Sequence, residues 1–161
     1  MIDWIKNLFG KSGTNIRSEA TVDHVELTSS HLVIGLNLDW LNETGEPIPI
    51  KEIGMRLYLG KNKEPLNFYP LERFQRVSSL RAIQKTPLQA FTLPPKEVHS
   101  EQIRFICQEV RDLQPGSYLI EVQLMDTHEN ICVNRMKIHI QAKNKYRRSD
   151  EWEGENAEYK A

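Results

Sequence analysis

Leu32-Val33-Ile34-Gly35-Leu36-Asn37-Leu38-Asp39-Trp40-Leu41 decides the fold class. Leu32, Ile34, Leu36, Leu38 and Trp40 fall on one side of a period of two, and Val33, Gly35, Asn37, Asp39 and Leu41 on the other. Successive side chains of a strand point to opposite faces, so the alternation predicts a half-buried strand. Asn42-Glu43-Thr44-Gly45-Glu46-Pro47 follows, and its Asn, Gly and Pro suit turn dihedrals, so the chain is expected to reverse there. Asn42-Glu43-Thr44 also matches a glycosylation acceptor, but the turn accounts for it.

The same period recurs on both sides. Ile53, Met55, Leu57 and Leu59 alternate before the turn cluster Gly60-Lys61-Asn62-Lys63. Upstream, residues 20–27 read as a strand whose register shifts near His24-Val25, joined to the next by Ser29-Ser30-His31. Downstream, Phe91 and Leu93 precede Pro94-Pro95, Ile103, Phe105 and Cys107 alternate, and Tyr118, Ile120, Val122 and Leu124 follow Pro115-Gly116. After the turn 126–130, Cys132, Met136, Ile138 and Ile140 share the face of a last strand. About seven strands punctuated by turn signals are the pattern of an all-β sandwich or barrel.

Leu113-Gln114-Pro115-Gly116-Ser117-Tyr118 resembles the tyrosine corner of immunoglobulin-like and fibronectin type III-like domains. The resemblance implies that the Tyr118 hydroxyl bonds to backbone a few residues upstream. Cys107 and Cys132 do not reproduce the cystine that flanks a core Trp in antibody domains, and such sandwiches host many activities, so a fold is implied and no function. The expected fold is all-β: an immunoglobulin-like antiparallel sandwich of about seven strands, with an irregular or short helical insertion and a short N-terminal amphipathic helix.

At 161 residues the chain fits one domain. Residues 1–13 are expected to be the amphipathic segment, 14–142 the sandwich with an insertion over 64–89, and 143–161 a charged tail too poor in apolar residues to fold. The net charge of -1 gives no global field of the kind that marks nucleic-acid or anionic-membrane binders. The first residues lack a basic region followed by a long apolar run, which places the protein in the cytoplasm and its two cysteines among buried free thiols. Ile2, Ile5, Leu8 and Phe9 would form one face of a short helix with Trp4 beside them. Docking of that helix on the sandwich or on a partner is favoured over membrane attachment through residues 1–10, because so short a helix with little positive charge holds lipid weakly.

No residue is assigned to catalysis, a metal or a cofactor. His24, His31, His99, His128 and His139 show no close helical spacing of a zinc hydrolase, and Asp126-x-His128-x-Asn130 reads as a hairpin tip. There is no Gly-x-Ser-x-Gly elbow and no glycine-rich phosphate loop, and Cys107 lies in an apolar alternation unsuited to a reactive thiol. Trp40 belongs to the core; Phe68-Tyr69-Pro70 is a candidate wall of a sugar or peptide groove.

The candidate partner-binding segment runs from Leu71 to Lys85. Arg73, Arg76, Arg81 and Lys85 face only Glu72 there, a local excess of about +3 of the kind that marks docking surfaces. Leu71, Phe74 and Val77 fit one stripe of a short helix, but a three-residue step carried on to Leu80 and Ile83 drifts by about 60° each time, so one long helix does not explain the run. The expected function is a non-enzymatic intracellular interaction module. Phe74 and Val77 would anchor the insertion, and Arg73, Arg76, Arg81 and Lys85 would grip a protein with an acidic surface. The acidic tail and neutral balance weigh against nucleic acid. The alternative is an enzyme or small-ligand-binding domain whose site is assembled from distant loops.

Overall fold

The computed structural model describes residues 16–61, 63–77, 82–86 and 90–147. The amphipathic stretch 1–13, with the membrane question attached to residues 1–10, lies outside them, as does the tail from residue 148. The described residues form β1 (Ile16–Leu27), β2 (Leu32–Asn42), β3 (Ile48–Tyr58), β4 (Leu66–Val77), β5 (Ala82–Thr86), β6 (Phe91–Leu93), β7 (Val98–Cys107), β8 (Gly116–Asp126), β9 (Ile131–Ile140) and, after a 3-10 turn at Ala142–Asn144, β10 (Lys145–Arg147).

The all-β class stands, with ten strands where about seven were expected. Hydrogen-bonded neighbours follow the order β10-β1-β2-β7-β4-β3-β8-β9, with β5 added to β4 and β6 to β3. β4 joins two limbs of this sheet: Leu66–Phe68 pair with β3, whereas residues from Tyr69 to Gln75 pair with β7. Its ladder slips between Pro70 and Glu72. Proline has no N–H for a ladder, and one extra residue bends a strand, so the sheet curls at this point. Leu36, Trp40, Ile103 and Phe105 of one limb then meet Met55, Leu57, Ile120 and Val122 of the other in one core cluster. Each such side chain removed from water contributes about 1.5 to 3 kcal/mol.

The insertion 64–89 contains no helix among its described residues; it supplies β4 and β5. The three-residue step from Leu71 to Phe74 comes from a bulged strand, and ladders to β3, β7 and β5 override any helical tendency of the segment. A second slip separates Val22 from His24 in the β1–β2 ladder, just before the His24-Val25 position that the sequence suggested. The chain also stays ordered past Lys143: Lys145–Arg147 add a strand parallel to β1, and the Lys145 ammonium reaches Asp112 at 2.8 Å.

Local chemistry closes the ends. Tyr118 donates its hydroxyl proton to the Gln114 carbonyl at 2.7 Å, the bond that the tyrosine-corner resemblance implies, beside the buried Leu113. Asn42 is fully buried at the β2–β3 turn. Its amide donates to the Glu46 and Leu93 carbonyls, and its oxygen accepts from the Thr44 N–H at 2.9 Å and from the Thr44 hydroxyl at 2.6 Å. The bond to Leu93 ties the turn to β6, and the other three close the turn on itself.

Candidate functional site

Alternation along β4 and β7 turns two charged side chains into the molecule. Arg73 stands opposite Ile103, and its side chain is 5% exposed; that of Glu101 is 0% exposed. The Arg73 Nε–H donates to Glu101 Oε1 at 2.8 Å, and an Nη2–H donates to the same oxygen. The guanidinium carbon lies 4.0 Å over the Phe91 ring centroid. Phe91, Trp40 and His99 stack pairwise with centroids 5.6 to 5.9 Å apart, and His99 Nε2 lies 3.3 Å from the other Glu101 oxygen. The two N–H bonds hold one Glu101 oxygen and the Phe91 face covers the guanidinium, whereas the other Glu101 oxygen and His99 Nε2 are buried without a hydrogen-bond partner.

This placement corrects one expectation. Arg73 is spent on an internal carboxylate and does not belong to a surface that could grip a partner. Phe74, the next residue, is half-buried on the opposite, outer face of the sheet, as strand alternation requires. In the β4–β5 ladder Arg76 pairs with Ile83 and Lys85 with Phe74, whereas Arg81 lies outside the described residues. The β4–β5 ladder thus holds Arg73, Arg76 and Lys85 in one hairpin, but the Arg73 side chain turns inward to Glu101.

Beside that hairpin the outer face of the first limb holds an open groove of about 520 Å³, lined by Asp23, Asn37, Asp39, Phe74, Ser100 and Gln102 and by the stretch of β7 at Glu101, whose own side chain turns inward. The cross-strand register builds its floor in two rows. Asn37, Gln102 and Phe74 lie side by side on β2, β7 and β4, and Asp39 pairs with Ser100 in the next row. The Ser100 hydroxyl donates to Asp39 at 2.6 Å, while Asp23, at the β1 bulge, holds His24 Nδ1 at 2.8 Å. A groove of amides, carboxylates and one aromatic edge can orient a polar ligand or a peptide. The pattern Asn37, Asp39 on the polar side of β2 was visible in the sequence; its pairing with β7 was not.

The remaining reactive side chains sit in structural settings. The His24 ring fills the space above Gly35, where an added Cβ would stand 2.3 Å from ring carbon Cε1. Arg104 bridges Glu26 at 2.9 Å and Glu72 at 2.6 Å. Cys107 and Cys132 are buried free thiols, and burial pushes the Cys107 thiol up, away from the reactive thiolate. Asp126 accepts the backbone N–H groups of His128 and Asn130, each at 2.9 Å, so the hairpin-tip expectation holds. Trp40 and Phe68 are core residues, and Tyr69 alone of the suggested groove aromatics is open to water, at 62% exposure. Among the described residues no three His, Cys, Asp or Glu side chains cluster to hold a metal ion, and no helix is long and apolar enough to cross a membrane.

No protein-family model and no curated protein matches the chain. Solved structures with partial likeness include a FixG-related protein from Vibrio parahaemolyticus, 12% identical with a TM-score of 0.42, over 78% of this chain and 96% of that one. The sporulation control protein Spo0M from Bacillus subtilis is 12% identical with a TM-score of 0.37, over 81% of this chain and 50% of that one. The N-terminal domain of PorA is 8% identical with a TM-score of 0.34, over 78% of this chain and 96% of that domain. At such scores these likenesses carry no argument about this protein.

Proposed function

We propose that this chain is a non-enzymatic interaction module, an immunoglobulin-like domain that binds another protein through the outer face of its first limb and the β4–β5 hairpin beside it. The Tyr118 bond to Gln114 supports the immunoglobulin-like assignment. The single observation that carries the binding role is the open groove bordered by Phe74, with its amide and carboxylate floor. Rigid strands display those groups and the hairpin adds an edge, which are the usual means by which a β domain docks a partner. Arg76, Arg81 and Lys85 then serve as the basic contacts for an acidic partner surface, without Arg73. The test is a pull-down with the full chain carrying Arg76→Glu, Arg81→Glu and Lys85→Glu, at low and moderate salt. Loss of a stoichiometric partner is expected. Retention of every partner at wild-type strength, with an unchanged melting temperature, removes the hairpin from the interface.

A second role is favoured by the groove volume alone, which falls within the roughly 300 to 1,000 Å³ of small-molecule sites. A small polar ligand there would raise the melting temperature of the wild type and leave that of Gln102→Leu unchanged.

A further inference from the structure

The outer face of the second limb carries chemistry unlike that of the groove. In the β3–β8–β9 ladders Arg56, Glu121 and Arg135 stand in one row, and Tyr58, Leu119 and Lys137 in the next. Glu121 is only 2% exposed although it points outward. The Tyr58 hydroxyl donates to one of its oxygens, and the Arg135 Nε–H donates to the other at 2.7 Å. Engagement through Nε leaves the amino groups of the guanidinium for another acceptor, on a side chain that is 43% exposed. Arg56 and Lys137 are exposed, and Leu119 is 40% exposed between them. Three cations therefore surround one exposed leucine, and the one carboxylate in the two rows is already held by Arg135 and Tyr58.

The geometry points to this face as a docking site for an extended acidic segment of a partner protein, with carboxylates on alternate residues. Arg135 and Lys137 stand two residues apart on β9, with His139 a further two along, and the exposed positions of a strand repeat every 6.8 Å or so. An extended segment laid along β9 has the same repeat, so its alternate carboxylates meet Arg135 and Lys137 in turn. The methylene stems of those acidic side chains cover Leu119, which stands between Tyr58 and Lys137 in the same row. The guanidinium amino groups offer a carboxylate two parallel bonds. Three cations on a chain of net charge -1 suit a short peptide better than the dense charge of a nucleic acid. This surface lies on the other limb from the hairpin and goes beyond the function proposed above.

The experiment is a fluorescence-anisotropy titration of the full chain with a labelled synthetic peptide of alternating Glu and Thr. A peptide of the same composition in two blocks and an oligothymidylate serve as controls. The alternating peptide is expected to bind best at low salt and to weaken as salt rises. Lys137→Glu breaks no described contact and should weaken binding about fivefold or more, since an exposed ion pair is worth up to about 1 kcal/mol and reversal adds repulsion. Arg135→Ala should weaken it at least as much, with its melting temperature measured alongside. The triple hairpin variant should bind the peptide like the wild type, so failure of either surface is told from failure of the other. Unchanged affinity in Lys137→Glu with the fold intact overturns the assignment, as does tighter binding of the oligothymidylate. So does binding that appears only after Glu151, Glu153 and Glu155 are changed to Gln, because the chain's own tail would then fill the face.

Discussion

Glu101 and Glu121 are both carboxylates taken out of water beside an arginine, one on each limb of the sheet. Glu101 points inward, and its partner Arg73 is buried over the Phe91 ring, with His99 beside the carboxylate. Glu121 points outward, and its partner Arg135 keeps 43% of its side chain in solvent. The same pairing therefore does different work. Inside, low dielectric makes the attraction large and the desolvation cost comparable, so the pair holds the end of the core only while complete. Outside, the carboxylate fixes one edge of a guanidinium and leaves the rest for another molecule.

The largest effect should come from cutting each arginine in turn. Arg73→Ala strands an uncompensated charge at Glu101 and removes the lid over Phe91, and it should cost about 3 to 5 kcal/mol. Arg135→Ala leaves Glu121 the Tyr58 hydroxyl and access to water, and it should cost about 1 to 2 kcal/mol. Urea denaturation of both variants reads the difference from the midpoints. Equal costs would break the distinction between a sealed and a presenting pair.

The strands were legible because each buries one face: the alternations in β2, β3, β7, β8 and β9 mark core residues that the structure buries. Tyr118 was legible too, since its partner lies four residues away. Arg73 was not, because its partner Glu101 is 28 residues distant and only the β4–β7 register brings them together. The bulge after Pro70 also broke the alternation of β4, so that Leu71 and Phe74 mimicked a helical stripe. The basic face of the second limb could have been found in part: Arg135, Lys137 and His139 alternate with Met136, Ile138 and Ile140, and the complement of a core face is a solvent face. Arg56 belongs to it through pairing across 65 and more residues, which no local pattern encodes.

A neutral bond provides the yardstick against which the two ion pairs are judged. Tyr118→Phe removes one hydroxyl donor from the Gln114 carbonyl and leaves the ring in place. The expected loss is about 0.5 to 1.5 kcal/mol, the usual net worth of such a bond. Arg73→Ala must exceed it clearly if charge burial matters at Glu101. A denaturation midpoint unchanged from the wild type would mean that the Tyr118 hydroxyl has no role in the corner.

The smallest effect isolates what a carboxylate contributes when no arginine holds it. Burial alone would raise the pKa of Asp126, but the Asn130 side chain and the backbone N–H groups of Asn130 and His128 more than offset it and hold the group below its ordinary value. A carboxyl whose folded pKa is depressed stabilises the fold at pH above its unfolded value, about 3.9, and that contribution disappears as pH falls through the folded pKa. Asp126→Asn keeps an oxygen that can accept the two backbone bonds but removes the titration. The melting temperatures of wild type and variant should therefore differ most near neutrality and converge on acidification below about pH 4. A difference that stays constant from neutrality down to about pH 3 would show that the turn senses shape and not charge.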